Sequence, residues 1–337
     1  MDRHPVVTLA HGGGGRLMHR LIEDLFRRAF SNPLLDAAHD GAVFEGPGGR
    51  MAFTTDAHVV RPIFFPGGDI GRLAVWGTVN DLAMCGARPL HLSAAFVLEE
   101  GFPMEDLWRV VLSMREAAEE SGVSIVTGDT KVVERGKGDG VYITTAGVGR
   151  VPEGVDVRPA RVRPGDAIVL SGDLGRHGMA IMTRREGLTF ESEIRSDLAP
   201  LTGPVQSLLG AGVDVHCLRD VTRGGLAAVL HEIAAAAAVE ARIREDAVAV
   251  DASVRAACEI LGIDPLNVAC EGRFVAFVPQ GDAARAVEAL RSHTVSAGAV
   301  VAGHVRAGTP GRVVLTSALG TERLVDLPAG AALPRIC

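Results

Sequence analysis

Flat aromatic side chains are scarce in this chain, with one Tyr, two Trp and eleven Phe among 337 residues. A surface that stacks nucleic-acid bases is thereby excluded. The net charge of −7 also removes the cationic excess that general nucleic-acid or anionic-membrane binding draws on. The five cysteines, Cys85, Cys217, Cys258, Cys270 and Cys337, are odd in number, and no two stand in a Cys-x-x-Cys spacing. Neither a disulfide framework nor a zinc site is indicated, and the thiols read as reduced. Met1 to Leu9 holds no apolar core of signal-peptide length, and no stretch approaches 18 apolar residues. These absences predict a cytoplasmic protein. There is no Gly-x-x-x-x-Gly-Lys-Ser/Thr loop, no dinucleotide fingerprint after a first strand and no fixed-period repeat. Cys337 is the last residue, whereas prenylation requires a Cys fourth from the end.

What is present is an ordinary globular composition, 47% hydrophobic and 22% charged. The length exceeds what one core usually serves, which predicts two domains. Pro152, Gly154, Pro159, Pro164 and Gly165 punctuate the middle and mark the boundary. The expected division is 1–155, 156–326 and a tail, 327–337. Both halves mix strands with helices, so the fold class is α+β.

His11 is followed by Gly12, Gly13, Gly14 and Gly15, after which Leu17, Leu21, Ile22, Leu25, Phe26 and Ala29 recur at helical spacing. A glycine loop that opens a helix lets backbone N–H groups approach an anion. Arg50 to Thr55 reads as a strand that delivers Asp56 at its end. Asp69 is placed to cap a helix through Leu82 that carries Asn80 and Asp81, although Asp is a poor interior helix residue. The strand Val123–Val126 is expected to run straight into Thr127, Gly128, Asp129, Thr130, Lys131. There Asp129 could hold a divalent cation and Lys131 a phosphate. Three carboxylates at element boundaries, Asp56, Asp81 and Asp129, together with a Gly loop and a Lys, point to metal-bridged triphosphate binding. In the second half, Leu218 to Gly225 opens a helix with Asp220 and Arg223 beside its positive end. Glu271 stands where a loop enters the strand Phe274–Val278.

The chain ends Pro334, Arg335, Ile336, Cys337. Soluble proteins avoid an exposed terminal thiol unless its reactivity is used. Leu327 to Leu333, rich in Pro, Ala and Gly, reads as an arm, and ten extended residues span at most about 35 Å. That suffices to swing the thiol from solvent into a pocket of the same molecule.

Taken together, His11–Gly15, Thr54–Asp56, Phe64–Gly71, Asn80 with Asp81, Thr127–Val133, Asp220–Gly225, Glu271 with Gly272 and Pro334–Cys337 resemble the HypE family. These are hydrogenase-maturation carbamoyl dehydratases of the aminoimidazole ribonucleotide synthetase (PurM-like) superfamily, and the likeness covers the whole chain. Gly13 departs from the family, whose members often carry Ser there; the backbone donors of the loop remain. The resemblance implies a two-domain fold that dimerises through its N-terminal sheets, with ATP and Mg2+ near that interface. It implies that HypF carbamoylates Cys337, that the thiocarboxamide is dehydrated to a thiocyanate with ATP, and that HypC with HypD accepts the cyanide for the iron of a nickel–iron hydrogenase. Carried onto this sequence, Asp56, Asp81 and Asp220 would hold metal. Gly12, Gly14, Gly15, Asn80, Asp129, Thr130, Lys131 and Arg223 would line the nucleotide, and Glu271 would act as base. The alternative is a small-molecule ATP-dependent kinase or ligase of the same superfamily, in which the tail is incidental.

Overall fold

The computed structural model describes residues 7–188, 190, 193–327 and 335–337. The glycine loop opens a continuous helical segment: α1 (Arg16–Leu21), a wider π stretch (Ile22–Arg27) and α2 (Arg28–Phe30). The first sheet is built from β1 (Ala42–Gly46), β2 (Gly49–His58), β5 (Arg88–Glu99), β6 (Ser124–Val133) and β7 (Val141–Arg150), in the order β1-β2-β7-β5-β6. Its neighbours are antiparallel except β5 and β6, which run parallel. A two-residue hairpin, β3 (Phe64–Phe65) with β4 (Gly68–Asp69), leads into α3 (Ile70–Met84). α4 (Met104–Glu120) connects β5 to β6. Along β7 nearly every second residue is buried, the alternation of a sheet with one covered face.

α3 is the element on which the site depends. Asp69 caps it by accepting from Gly71 N–H (2.7 Å) and Arg72 N–H (3.1 Å), an arrangement worth about 1 kcal/mol. All its residues except Arg72 and Asp81 are buried, so it is apolar all round, as a helix enclosed on every side must be. It lies on β2, β5 and β7 and also touches β9 and the helix Thr202–Gly210 of the second half. Gly77 permits this closeness, since a Cβ there would sit 3.3 Å from Asp56 Oδ2 and 2.9 Å from His58.

The second sheet contains β8 (Asp166–Leu170), β9 (Cys217–Asp220), β10 (Glu240–Arg244), β11 (Phe274–Pro279), β12 (Val300–Arg306), β13 (Arg312–Thr316) and β14 (Glu322–Leu324), ordered β14-β13-β10-β12-β8-β11-β9. Its helices are α5 (Arg176–Glu186), α6 (Thr202–Gly210), α7 (Gly225–Ala236), α8 (Ala252–Leu261) and α9 (Ala283–Arg291). β8 is buried on both faces and β11 on both up to Pro279. Alternate residues divide between two cores: Ile168, Leu170, Val275 and Phe277 pack toward α7, and Ala167, Val169, Phe274 and Ala276 toward α6 and α9.

Two local expectations change. The strand expected over Val123–Val126 does not end there: β6 continues through Thr127–Lys131 to Val133 as the edge strand of its sheet. Gly128 makes this possible, because a Cβ there would lie 2.1 Å from the Ala94 carbonyl oxygen of β5. Asp56 is two residues inside β2, not at its end. The stretch 328–334 of the arm lies outside the described residues, Pro334 included.

Candidate active site at the seated C-terminus

The last three residues lie against the strip that follows β2. Val59 N–H donates to a Cys337 main-chain carboxylate oxygen (3.1 Å) and Arg61 N–H to the Arg335 carbonyl (3.3 Å). Between them, the Ile336 side chain enters a core shared by the two halves and is 3% exposed. Burying an aliphatic side chain this fully contributes about 2 kcal/mol. Arg335 adopts a left-handed backbone, φ 58°, and its guanidinium pairs with Asp139, which also receives Arg61 (2.9 Å). The residue Cys337 keeps some solvent contact, while its sulfur is enclosed beside Glu271, Arg223 and Asp56. Burial pushes the thiol pKa up, beyond what Arg223 recovers.

Around the sulfur stands a group of acids drawn from both halves. Asp56 faces Arg223 (3.6 Å) and His58 (3.7 Å). Asp81 accepts from the Thr54 hydroxyl (2.9 Å). Asp220 ends β9, and Asp40, which precedes β1, pairs with Arg219 (2.8 Å). Burial, then the charges of Asp220, Asp56 and Asp40, raises the pKa of Asp81. Burial in the same way carries Asp220 up to about 6 against the pull of Arg219. Glu271 is raised by burial and then by Asp220, Asp56 and Asp197, and its Oε1 has no hydrogen-bond partner. Asp40 Oδ2 is likewise buried and unpartnered. Among the described residues no three His, Cys, Asp or Glu side chains already converge as a metal cage. The donor set nonetheless fits a hard divalent cation: all oxygen, in excess of the nearby positive charge, with an orphaned carboxylate oxygen.

The glycine loop closes one side. A Cβ on Gly14 (φ +74°) would lie 2.7 Å from the Arg223 and Gly224 backbone. Gly15 is the buried N-cap of α1. Gly12, Val59, Arg223 and Cys337 line a cavity of about 200 Å³.

The structure therefore brings Gly12, Gly14, Gly15, Asp56, Asp81, Asp220, Arg223, Glu271 and Cys337 together. It does not bring Asp129, Thr130 and Lys131 there within one chain. The register Asp129–Ala95–Thr144–Ala57 puts them three strand spacings, about 14 Å, from β2. It also turns Asp129 and Lys131 to the face opposite Asp56 and α3, where they pair with each other in solvent. Asn80 departs from its expected role as a nucleotide ligand. Its Nδ2 donates to the carbonyls of Ala199 (3.1 Å) and Glu271 (3.4 Å), and its Oδ1 accepts from Leu201 N–H (2.8 Å). The amide staples the two halves and fixes the backbone of Glu271.

Three site residues were not anticipated. Asp40 carried a weak signal as an acid just before a strand. His177, on α5, carried none. Asp197 holds Glu271 by accepting its N–H (3.0 Å), and a Cβ on Gly272 would collide with the Asp197 carbonyl oxygen at 1.9 Å; the Gly after Glu271 was the visible trace of that contact.

Residues 38–151 match the family described as AIR synthase related protein, N-terminal domain, and 163–316 its C-terminal domain. The chain is 52% identical to carbamoyl dehydratase HypE of Rhizobium leguminosarum bv. viciae over 98% of its length and 95% of that protein's. With the Escherichia coli HypE it shares 45% identity over 98% and 99%. A crystal structure of HypE in complex with ATP superposes with a TM-score of 0.83 at 47% identity, covering 98% of this chain and all of the other. A HypE–HypF complex superposes at 0.87, with 47% identity and coverage of 91% and 99%. A ThiL structure bound to AMPPCP and TMP, 18% identical with a TM-score of 0.68, shares the fold. Among the described residues no helix is long and apolar enough to cross a membrane.

Proposed function

Because the chain belongs to the HypE family of hydrogenase-maturation carbamoyl dehydratases, we propose that the group it dehydrates is carried on its own Cys337. The observation that supports this most directly is the seating of the terminal thiol against Glu271 and Arg223. A buried thiol with a raised pKa is a poor nucleophile, so seating disarms it toward outside reagents. A carbamoylated sulfur is neutral and enters the same position without the cost of burying a thiolate. The residue is thus suited to being modified outside and processed inside.

Dehydration converts R–S–C(=O)–NH2 to R–S–C≡N. ATP supplies the activation, since the carbonyl oxygen leaves as part of phosphate where oxide itself would not, and the balance is thiocyanate, ADP, phosphate and a proton. The chain's share is to hold the carboxamide and receive protons. Glu271 is the base: it reaches the sulfur substituent, and a carboxylate raised by its surroundings is a stronger proton acceptor once ionised. Arg223 bridges the thiol site and Asp56, where it would face phosphate. Gly12, Gly14 and Gly15 offer backbone donors. Asp56, Asp81 and Asp220, joined by Asp40 Oδ2, would hold Mg2+, which when bound supplies charge neutralisation for phosphate.

The exposed edge β6 is the surface through which a second copy would approach. In such a homodimer Asp129, Thr130 and Lys131 would serve the partner's nucleotide. A HypF-type transferase would load the thiol, and HypC with HypD would accept the cyanide. The free cysteines suit a reducing cytoplasm, and the working units are 1–155, 156–326 and the tail 327–337. The test is intact-mass spectrometry after incubation with HypF, carbamoyl phosphate and ATP. Cys337 should first gain a carbamoyl group and then lose one water, and Cys337→Ala should do neither. Loss of water without a modified Cys337 would overturn the reading.

A further inference from the structure

The terminal tripeptide is held chiefly by its backbone. All three residues accept through a main-chain oxygen: the Arg335 carbonyl from Arg61 N–H and from Arg185 Nη2 (2.7 Å), a Cys337 carboxylate oxygen from Val59 N–H, and the Ile336 carbonyl from His177 Nε2 (2.6 Å). Two of these donors are backbone groups of the same strip. A third, Arg185, is shared with the Arg61 carbonyl (2.7 Å). His177 is different. It is fully buried on α5, feels the charge of Asp197, and meets the penultimate carbonyl directly.

We propose that His177 is the positioning residue of a peptide subsite that seats the C-terminal tripeptide and so sets where the Cys337 substituent stands. To donate to a carbonyl the ring must carry its proton on Nε2. Its Nδ1 lies 2.8 Å from the Ser196 hydroxyl, which donates to it, and Ser196 Oγ in turn accepts from Leu198 N–H (3.0 Å). The carbonyl, which can only accept, therefore sets the tautomer, and the hydroxyl satisfies the other nitrogen by donating to it. Burial lowers the His177 pKa despite the nearby Asp197 charge, and the edge of Phe65 meets the ring at 5.4 Å between centroids. The ring is a neutral, oriented donor that reads the carbonyl before the terminal residue, whatever the sulfur carries. The left-handed backbone of Arg335 is a local cost of this pose, which the contacts around it offset.

The inference rests on Cys337 being the substrate-bearing residue, but seating can be read without any dehydration, so the two can fail separately. Full-length, uncarbamoylated protein without ATP is treated with iodoacetamide, and each cysteine is followed by peptide mass. In the wild type, Cys337 should react slowly. His177→Leu removes one buried donor and should raise the Cys337 rate about five- to tenfold, the open-population change expected for one hydrogen bond. His177→Gln, whose amide can place N–H near the Nε2 position, should stay within about twofold of wild type. A His177→Leu rate equal to wild type, or a His177→Gln rate equal to His177→Leu, overturns the proposal. If His177→Leu also exposes buried Cys217, the protein has loosened globally and Ser196→Ala decides. That variant keeps the ring but removes the Nδ1 partner that orients it; a rise confined to Cys337 supports the subsite, and an unchanged rate overturns it.

Discussion

At the scale of single residues, Glu271 shows how one environment serves both chemistry and cost. Its carboxyl is pushed up by burial and then by the charges of Asp220, Asp56 and Asp197. A carboxyl whose folded pKa exceeds its unfolded one binds more protons when folded, so stability is lost as pH rises above the unfolded value of about 4.3. Glu271→Gln removes that penalty and should melt above the wild type at pH 7.5, with the gap closing toward pH 4. The same variant should slow loss of water from carbamoylated Cys337 about 10²- to 10⁴-fold, the range of a general base. Normal dehydration by mass spectrometry, or a melting gap that widens at low pH, would remove Glu271 from this role. Glu271 is the candidate base because the motif Glu271–Gly272, carried by the family resemblance, lies outside the proposed metal set. The partners that shape it were not legible: Asp197 and Asn80 act through backbone contacts at separations of 74 and 191 residues, which no local pattern records.

At the scale of elements, what local periodicity governs was readable, and what pairing governs was not. α3 with its Asp69 cap and the strands β2 and β11 follow from apolar spacing and capping chemistry. β6 does not, because Thr127–Lys131 has the Gly, Asp and Thr of a turn and becomes strand only where β5 accepts it, with Gly128 against Ala94. The motif's position then carries a consequence. The chain has two lysines, Lys131 and Lys137, among 34 basic residues, and Lys131 sits on an exposed edge away from its own site. If a second copy brings Lys131 to the nucleotide, mixing Lys131→Ala and Glu271→Gln chains should rescue one site per mixed dimer. That site holds its own Glu271 and receives an intact Lys131 from the other chain. Dehydrated Cys337 should then appear on the Lys131→Ala chain alone, at about a quarter of the wild-type yield for random pairing. No rescue in a mixture shown to exchange subunits would place Lys131 in service of its own chain or of neither.

At the scale of the whole molecule, the two halves meet where acids from each are forced together: Asp40, Asp56 and Asp81 from the first, Asp220 and Glu271 from the second. Arg219 and Arg223 offset only part of this charge. Closing the seam therefore costs stability that a bound cation would return, and the sign depends on pH. Asp220 has a folded pKa of about 6, above its unfolded value of about 3.9. Between those values the folded state binds the extra proton, and the metal-free protein loses stability as pH rises through 6. Mg2+ held by this cluster would bind only the ionised carboxylates, so binding would release protons and be weak while they are held. Differential scanning fluorimetry should accordingly show little Mg2+ stabilisation at pH 5 and several degrees at pH 8. The metal-free melting temperature should fall over the same interval. Asp220→Asn should flatten both trends. A Mg2+ shift of equal size at the two pH values would detach the metal from this cluster, and with it the claim that cation binding is what holds the halves closed around the seated tail.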